Sequence, residues 1–170
     1  MRRHRARTLA LLAAVAAVAV AGCGSSGAHG PTKAAYIAKA DAICASAHAE
    51  TNHLINQIKA LAPALVIGGT KAAPTAPALV AKLHTVAAAD LARLRALAQP
   101  SGDHSAIAQF LGPLGLIVQA MGKAADDLRA GKAVDAASLF SAAIPTAQTV
   151  RSAATGYGLR SCPNLLAALS

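Results

Sequence analysis

The chain has 170 residues, room for one domain. It is 55% hydrophobic, 14% charged and 2% aromatic, and more than a quarter of it is alanine. So apolar a composition excludes a disordered chain, the scarcity of β-branched and aromatic residues argues against an all-β sandwich or barrel, and the formal net charge of +9 overstates the basicity of the folded part.

The first segment explains that overstatement. Arg2, Arg3, Arg5 and Arg7 precede an uninterrupted apolar run of 13 residues, Leu9–Ala21. As a helix the run spans roughly 20 Å, short of the ~30 Å hydrocarbon core of a bilayer. That is the length of a signal-peptide apolar region rather than of a membrane span. It ends in Val20-Ala21-Gly22-Cys23, followed by Gly24-Ser25-Ser26-Gly27. Charge, run, terminal tetrad and flexible tail, in that order, resemble a bacterial lipoprotein precursor. The tetrad fits the lipobox: a branched apolar residue, two small residues, then Cys. The resemblance implies cleavage between Gly22 and Cys23, a diacylglyceryl thioether on the Cys23 sulfur and acylation of the new amino group. It implies an exported protein held by lipid on the outer face of the cytoplasmic membrane. The alternative is an ordinary secretory signal with an incidental cysteine. Arg2-Arg3 raises a twin-arginine export route, which His4 and Arg5 continue poorly.

Four of the 16 Lys and Arg lie in this leader and none of the seven acids does, so the chain from Cys23 carries 12 basic and 7 acidic residues, net +5. No dense basic cluster remains, so no nucleic-acid partner is expected. Mild attraction to anionic lipid or cell-wall polymer is. Beyond Cys23, the remaining cysteines are Cys44 and Cys162. In an exported domain such a pair reads as a disulfide, the alternative being two unpaired thiols. No C-x-x-C or C-x-x-C-H spacing points to metal or haem.

Residues 24–31, of Gly, Ser and Ala without periodicity, read as a flexible tether, with Thr32 as an N-cap. A first helix is predicted over 33–61, where Tyr36, Ala40, Ile43, Cys44, Ala47 and Thr51 begin one apolar face that Leu54, Ile55, Ile58 and Leu61 continue. Pro63 marks its break, and residues 62–77, with Gly68, Gly69, Pro74 and Pro77, are expected to form the longest loop. A second helix is predicted over 78–98, with Leu79, Leu83, Val86, Leu94 and Leu97 in its stripe and Val80 and Leu91 beside it. Pro100-Ser101-Gly102 stops it, and Ser101 or Asp103 can cap the next. A third runs over 104–130, where Ile107, Phe110, Leu111, Ile117, Val118 and Met121 keep step across Gly112-Pro113. That pattern predicts one kinked helix ended by Gly131. A fourth, over 135–155, uses Leu139, Phe140, Ala143, Ile144, Ala147 and Val150, with a kink at Pro145 and an end at Gly156 and Gly158. The expected fold is all-α: an antiparallel four-helix bundle in up-down-up-down order, residues 33–170. That order puts Cys44 and Cys162 at one end. The opening Tyr36-Ile37-Ala38-Lys39-Ala40-Asp41-Ala42-Ile43-Cys44 and the close Tyr157-Gly158-Leu159-Arg160-Ser161-Cys162 are similar to the two ends of a recurring group of exported actinobacterial helical proteins. The resemblance supports the compartment and the cysteine pairing and implies no activity.

No catalytic constellation stands out. Glu50-Thr51-Asn52-His53 makes one Glu-x-x-His step, but di-iron bundles need further Glu ligands, and Glu50 is the only Glu in the chain. Asp126, Asp127 and Asp135 suit helix-end charge, and His84 and His104 have no placed partner. No G-x-S-x-G, P-loop or G-x-G-x-x-G occurs. Asp90 is the weak candidate for a ligand contact: it lies about 20° round the helix from Leu83, where a carboxylate is costly unless paired. The alternative is a roll of the second helix that turns Val80, Leu83, Leu91 and Leu94 inward and leaves Asp90 at the boundary near Arg93. The function expected is a non-enzymatic, lipid-anchored interaction or envelope-structure module without a cofactor. Its partners are the membrane and an envelope protein or cell-wall polymer. The rival expectation is a carrier of a small apolar ligand between the kinked third and fourth helices.

Overall fold

The computed structural model describes residues 30–167. The leader, Gly22, Cys23 and most of the tether lie outside the described residues. Within them the chain is all-α: α1 is Lys33–Ala72, α2 Ala76–Arg95, α3 His104–Arg129, α4 Ala133–Tyr157 and α5 Cys162–Leu165, packed against one another as a helical bundle. Thr32 caps α1 as expected, its hydroxyl accepting from the Ala35 N–H at 3.2 Å. α3 ends at Gly131 in a pair of reverse bonds, Gly131 N–H to Leu128 O and Lys132 N–H to Asp127 O.

α3 is the central element. It is long and apolar enough to cross a bilayer, and its apolar side chains are taken up by α2 on one side and α4 on the other. Ile107, Phe110, Leu111, Ile117, Val118 and Met121 are buried in one core cluster, and Ala124, Ala125 and Leu128 in a second, smaller one with Val80 and Ala136. Where α2 crosses α3, the His84 ring lies on Gly122 so closely that a Cβ there would meet its Nε2 at 3.0 Å. Pro113 and Pro145 lie inside α3 and α4, which continue across them.

Two expectations are corrected. α1 does not stop before Pro63 but runs on to Ala72, so most of the predicted loop at 62–77 is helix. Pro63 removes the hydrogen bond to the Lys59 carbonyl, and both residues are exposed, so the vacated acceptor stands open to solvent. Leu65 packs against the smaller core cluster, which holds the extension in place. The break comes instead at Gly69, where φ is 62° and ψ is −154°, a region only glycine occupies without strain. After it the chain bends by 112° from α1 into α2, short of a full antiparallel reversal. The second correction concerns the face of α2. Val80, Leu83, Leu91 and Leu94 are buried while Leu79 and Val86 are only half-buried, which is the rolled alternative.

The first and last helices meet mainly at one end. Cys44 and Cys162 are paired there, Sγ to Sγ 2.07 Å with Cα atoms 4.9 Å apart. One turn earlier, the Asp41 carboxylate accepts from the Arg160 N–H at 3.0 Å and the Ser161 N–H at 2.8 Å. Tyr36 packs edge-on against Tyr157 with centroids 5.9 Å apart. Gly30 lies against the Gln99 carbonyl at this same end, while Thr70 approaches Gly131 at the other.

The cross-link closes a loop with a sequence separation of 118, so its reduction is expected to lower stability by about 4–5 kcal/mol on loop-entropy grounds. Urea titration with and without reductant measures this. Gly69→Ala is expected to cost about 1–3 kcal/mol in the same assay, whereas a flexible loop at this position would tolerate it.

Candidate functional site

Asp90 is half-buried at the boundary of α2, its carboxylate 3.1 Å from the Arg93 guanidinium. It lines a small, partly open cavity with Thr51, Leu83, Leu91 and Met121, of about 50 Å³. That space suits ordered water rather than an organic ligand, for which pockets of roughly 300 Å³ and more are usual. The pair with Arg93, one helical turn away, accounts for the carboxylate. The roll of α2 that buries Leu91 puts Asp90 at the edge of the core.

The residues of the Glu-x-x-His step do not converge: Glu50 and His53 are exposed. His48 turns its Nε2 to the Asn52 amide at 2.9 Å, and its buried Nδ1 has no protein partner among the described residues. Among the described residues no three His, Cys, Asp or Glu side chains stand close enough to share a metal ion. Asp126 pairs with Arg129 and Asp127 with Lys123. His104 Nδ1 is 2.8 Å from the Gln99 side-chain oxygen.

The structure shows two surface features that the sequence pattern did not single out. The first is an open cleft of about 660 Å³ at the disulfide end, where Lys33, Asp103, Gln109, Gln148, Ser152 and Tyr157 stand beside Ala106 and Ala153. Asp103 stands at the N-cap position of α3 without capping it; it accepts instead from the Tyr157 hydroxyl at 2.7 Å. Burial pushes the Tyr157 hydroxyl pKa far up, and the hydrogen bond to Asp103 and its negative charge push the same way. The Lys33 ammonium covers the ring at 4.4 Å from its centroid, so that face is closed to a stacking ligand. Tyr36 is buried with its hydroxyl unpartnered among the described residues, and burial raises its pKa as well.

The second feature is apolar. α1 beyond Ile55 and the first half of α4 stand apart, and two troughs lie between them. One, of about 410 Å³, is walled by Leu65, Val66, Val134 and Phe140 and floored by Val80 and Leu128. The other, of about 250 Å³, continues it along Ile55, Leu83, Phe140 and Ile144. They share Ile58, Lys59 and Phe140. Val66 is 86% exposed, Ile67 88% and Val134 79%, large values for aliphatic side chains grouped at one end of a fold. Ile58, Phe140 and Ile144 carry the helical periodicity of core residues. Nothing in a periodic pattern says which core-facing positions lack an opposing helix.

The chain matches no protein-family model, and no curated protein or solved structure was found to resemble it.

Asp90→Asn is expected to change stability by no more than about 1 kcal/mol, the worth of a partly exposed ion pair, as read by urea denaturation. Tyr157→Phe, which strands the Asp103 bond, is expected to cost about 1–2 kcal/mol; Tyr36→Phe, which removes an unpartnered hydroxyl, is not expected to destabilise. Both tyrosines have folded-state pKa values raised above the ordinary 10.0. Their contribution to stability is therefore fully present below about pH 10 and lost as pH rises through the folded values. Phenolate absorbance on alkaline titration is expected to appear together with loss of helical circular dichroism. Phenolate forming in the intact helical protein near pH 10 would contradict it.

Proposed function

We propose that this chain is a lipoprotein, cleaved after Gly22, acylated at Cys23 and held on the outer face of the cytoplasmic membrane, whose helical domain works as a non-enzymatic interaction or envelope-structure module. The leader residues lie outside the described part of the structure, and their order remains the ground for the anchor. The observation that carries the rest is the way the domain is stapled. Cys44 of α1 pairs with Cys162 at the start of α5, just past the end of α4, a durable closure of the kind exported domains use. The same juxtapositions support an up-down-up-down order of the four long helices: Tyr157 meets Asp103 at one end, and Thr70 approaches Gly131 at the other. Gly30 belongs to the first of these ends, so the tether and its lipid would lie there, with the membrane as one partner. An envelope protein or cell-wall polymer would be the other. The module reading calls for no cofactor and no nucleic acid.

A carrier of a small apolar ligand in the bundle interior has less in its favour. Its proposed room, opened by kinks at Pro113 and Pro145, would lie between α3 and α4. The cavity beside Asp90 is only about 50 Å³ and sits among α1, α2, α3 and the residues of the α5 end.

The test is the intact mass of the protein extracted gently from its own membranes, native and then denatured. The expected denatured mass begins at Cys23, carries acyl chains and is about 2 Da lighter than the dithiol form. A mass without lipid would remove the anchor, and free thiols at 44 and 162 would remove the staple. A small-molecule adduct seen in the native mass and lost on denaturation would favour the carrier.

A further inference from the structure

We propose that the apolar trough between α1 and α4 is the docking groove of the module, and that its occupant is an amphipathic helix of a partner protein with an acidic residue beside its apolar face. The inference rests on the interaction-module reading and names the surface and the chemistry it uses.

The shape points to a helix. From Ile55 to Val66 along α1, and from Ala133 to Ile144 along α4, the walls run for about 16 Å, or three helical turns. A cleft between two helices, floored by a third and fourth, is the setting in which a further helix lays down i, i+3, i+4 and i+7 anchors. Ala62, Ala133, Ala136 and Ala137 line it, and side chains this small let a helix axis approach closely. The trough is also open along its length, with Val66 86% and Val134 79% exposed. A site for a lipid tail or other small apolar ligand encloses most of its occupant; this one would cover one side of it.

Charge selects the partner. Lys59 is the only charged side chain lining either trough among the described residues, and it lies where the two meet. A carboxylate on the flank of a docked helix reaches it, whereas a basic flank is repelled. The same lysine disfavours a second copy as occupant, because a two-fold pairing centred on the trough brings two Lys59 ammonium groups together. In the chain cleaved before Cys23 the N-terminal tether is also too short. Gly30 lies at the other end of the bundle, against Gln99. From Lys33 to the near edge of the trough at Ile55 is about 33 Å of helix, and residues 23–29 reach at most about 24 Å.

The test uses the purified full chain, lipidated or not, and two synthetic fluorescein-labelled peptides of about 15 residues. Both carry the same leucine face; one has Glu and the other Lys beside it. Fluorescence anisotropy is expected to show the Glu peptide binding about ten-fold more tightly than the Lys peptide. Lys59→Glu is expected to reverse that order. Ala137→Trp, which fills the trough from an exposed position, is expected to abolish both while helical circular dichroism is unchanged. Failure of the Glu peptide to bind would overturn the proposal, as would binding that ignores charge or survives Ala137→Trp. Saturable uptake of cis-parinaric acid lost in Ala137→Trp would make the trough a lipid-tail site instead, and a dimer lost in Ala137→Trp would make it a self-association face. A chain that proves unlipidated yet keeps the charge preference would remove the anchor and leave the groove standing.

Discussion

The closure of the fold depends on how residues 157–162 are held against the first three turns of α1. Three interactions of different kind act on that short stretch: the Cys44–Cys162 bond, the Asp41 carboxylate on two backbone N–H groups and the edge-on contact of Tyr36 with Tyr157. They matter because α1 and α4 pack little against each other directly. Along the rest of the chain each long helix is fastened to its neighbour in sequence, and α3 carries the apolar load between α2 and α4. Without the clamp, the first and last helices would be joined only through the others. A carboxylate that takes two N–H donors also satisfies backbone groups that the turn after α4 leaves without helical acceptors, so the clamp pairs polar groups as well as restraining the chain.

Fastening at one end has a consequence at the other. α1 is a long helix whose buried residues run only from Tyr36 to Ile55. Beyond that point it is steadied by Leu65 on the small cluster around Val80 and Leu128, and by the bend at Gly69. The wedge between it and α4 stays open there, and α4 contributes mainly alanines to its own buried face, which are too short to fill the gap. The troughs are thus the geometric complement of the clamp: a bundle stapled at the disulfide end and unfilled along the far half of one seam.

The parts legible in the sequence are those fixed by local pattern. The α3 stripe from Ile107 to Leu128 could be read from periodicity because α3 is packed on two sides and the stripe positions Ile107, Phe110, Leu111, Ile117, Val118, Met121 and Leu128 all meet a neighbour, Leu116 alone of the large aliphatics standing off it at 61% exposed. Thr32 and Gly131 were legible as caps because their roles depend on residues three to five away. Pro63 was misread since proline's local preference opposes a helix, while the hydrogen bond it removes is an exposed one and Leu65 has a tertiary partner. The choice between two faces of α2 was open in the sequence because Leu79 and Val86 are as apolar as Val80 and Leu91; only packing against α3, with His84 seated on Gly122, selects the roll. Asp90 stood out for its position on one of those faces and lost its significance with the other. The troughs were illegible for a deeper reason: Ile58, Phe140 and Ile144 have the spacing of core residues, and their partial exposure reflects the want of an opposing helix among the described residues, which no residue encodes locally.

The arrangement also relates the proposed anchor to the proposed groove. The described chain begins beside Gln99, in the α2–α3 connection, at the clamped end. A lipid joined there by a short tether would hold that end near the bilayer. The far half of the α1–α4 seam would then face away from the membrane, with Val66, Ile67 and Val134 exposed. Aliphatic side chains in that position are poorly placed to insert into the anchoring membrane, so they cannot be accounted for as a second membrane contact on the same surface. They are well placed to meet something that approaches from outside. The clamp, made of a covalent bond and charge-assisted backbone contacts, would resist opening under load at the end where the tether pulls. The weakly packed extension of α1 lies at the end where a partner helix would supply the missing apolar contacts. On that reading, stability and recognition fall at opposite ends of the same helix pair.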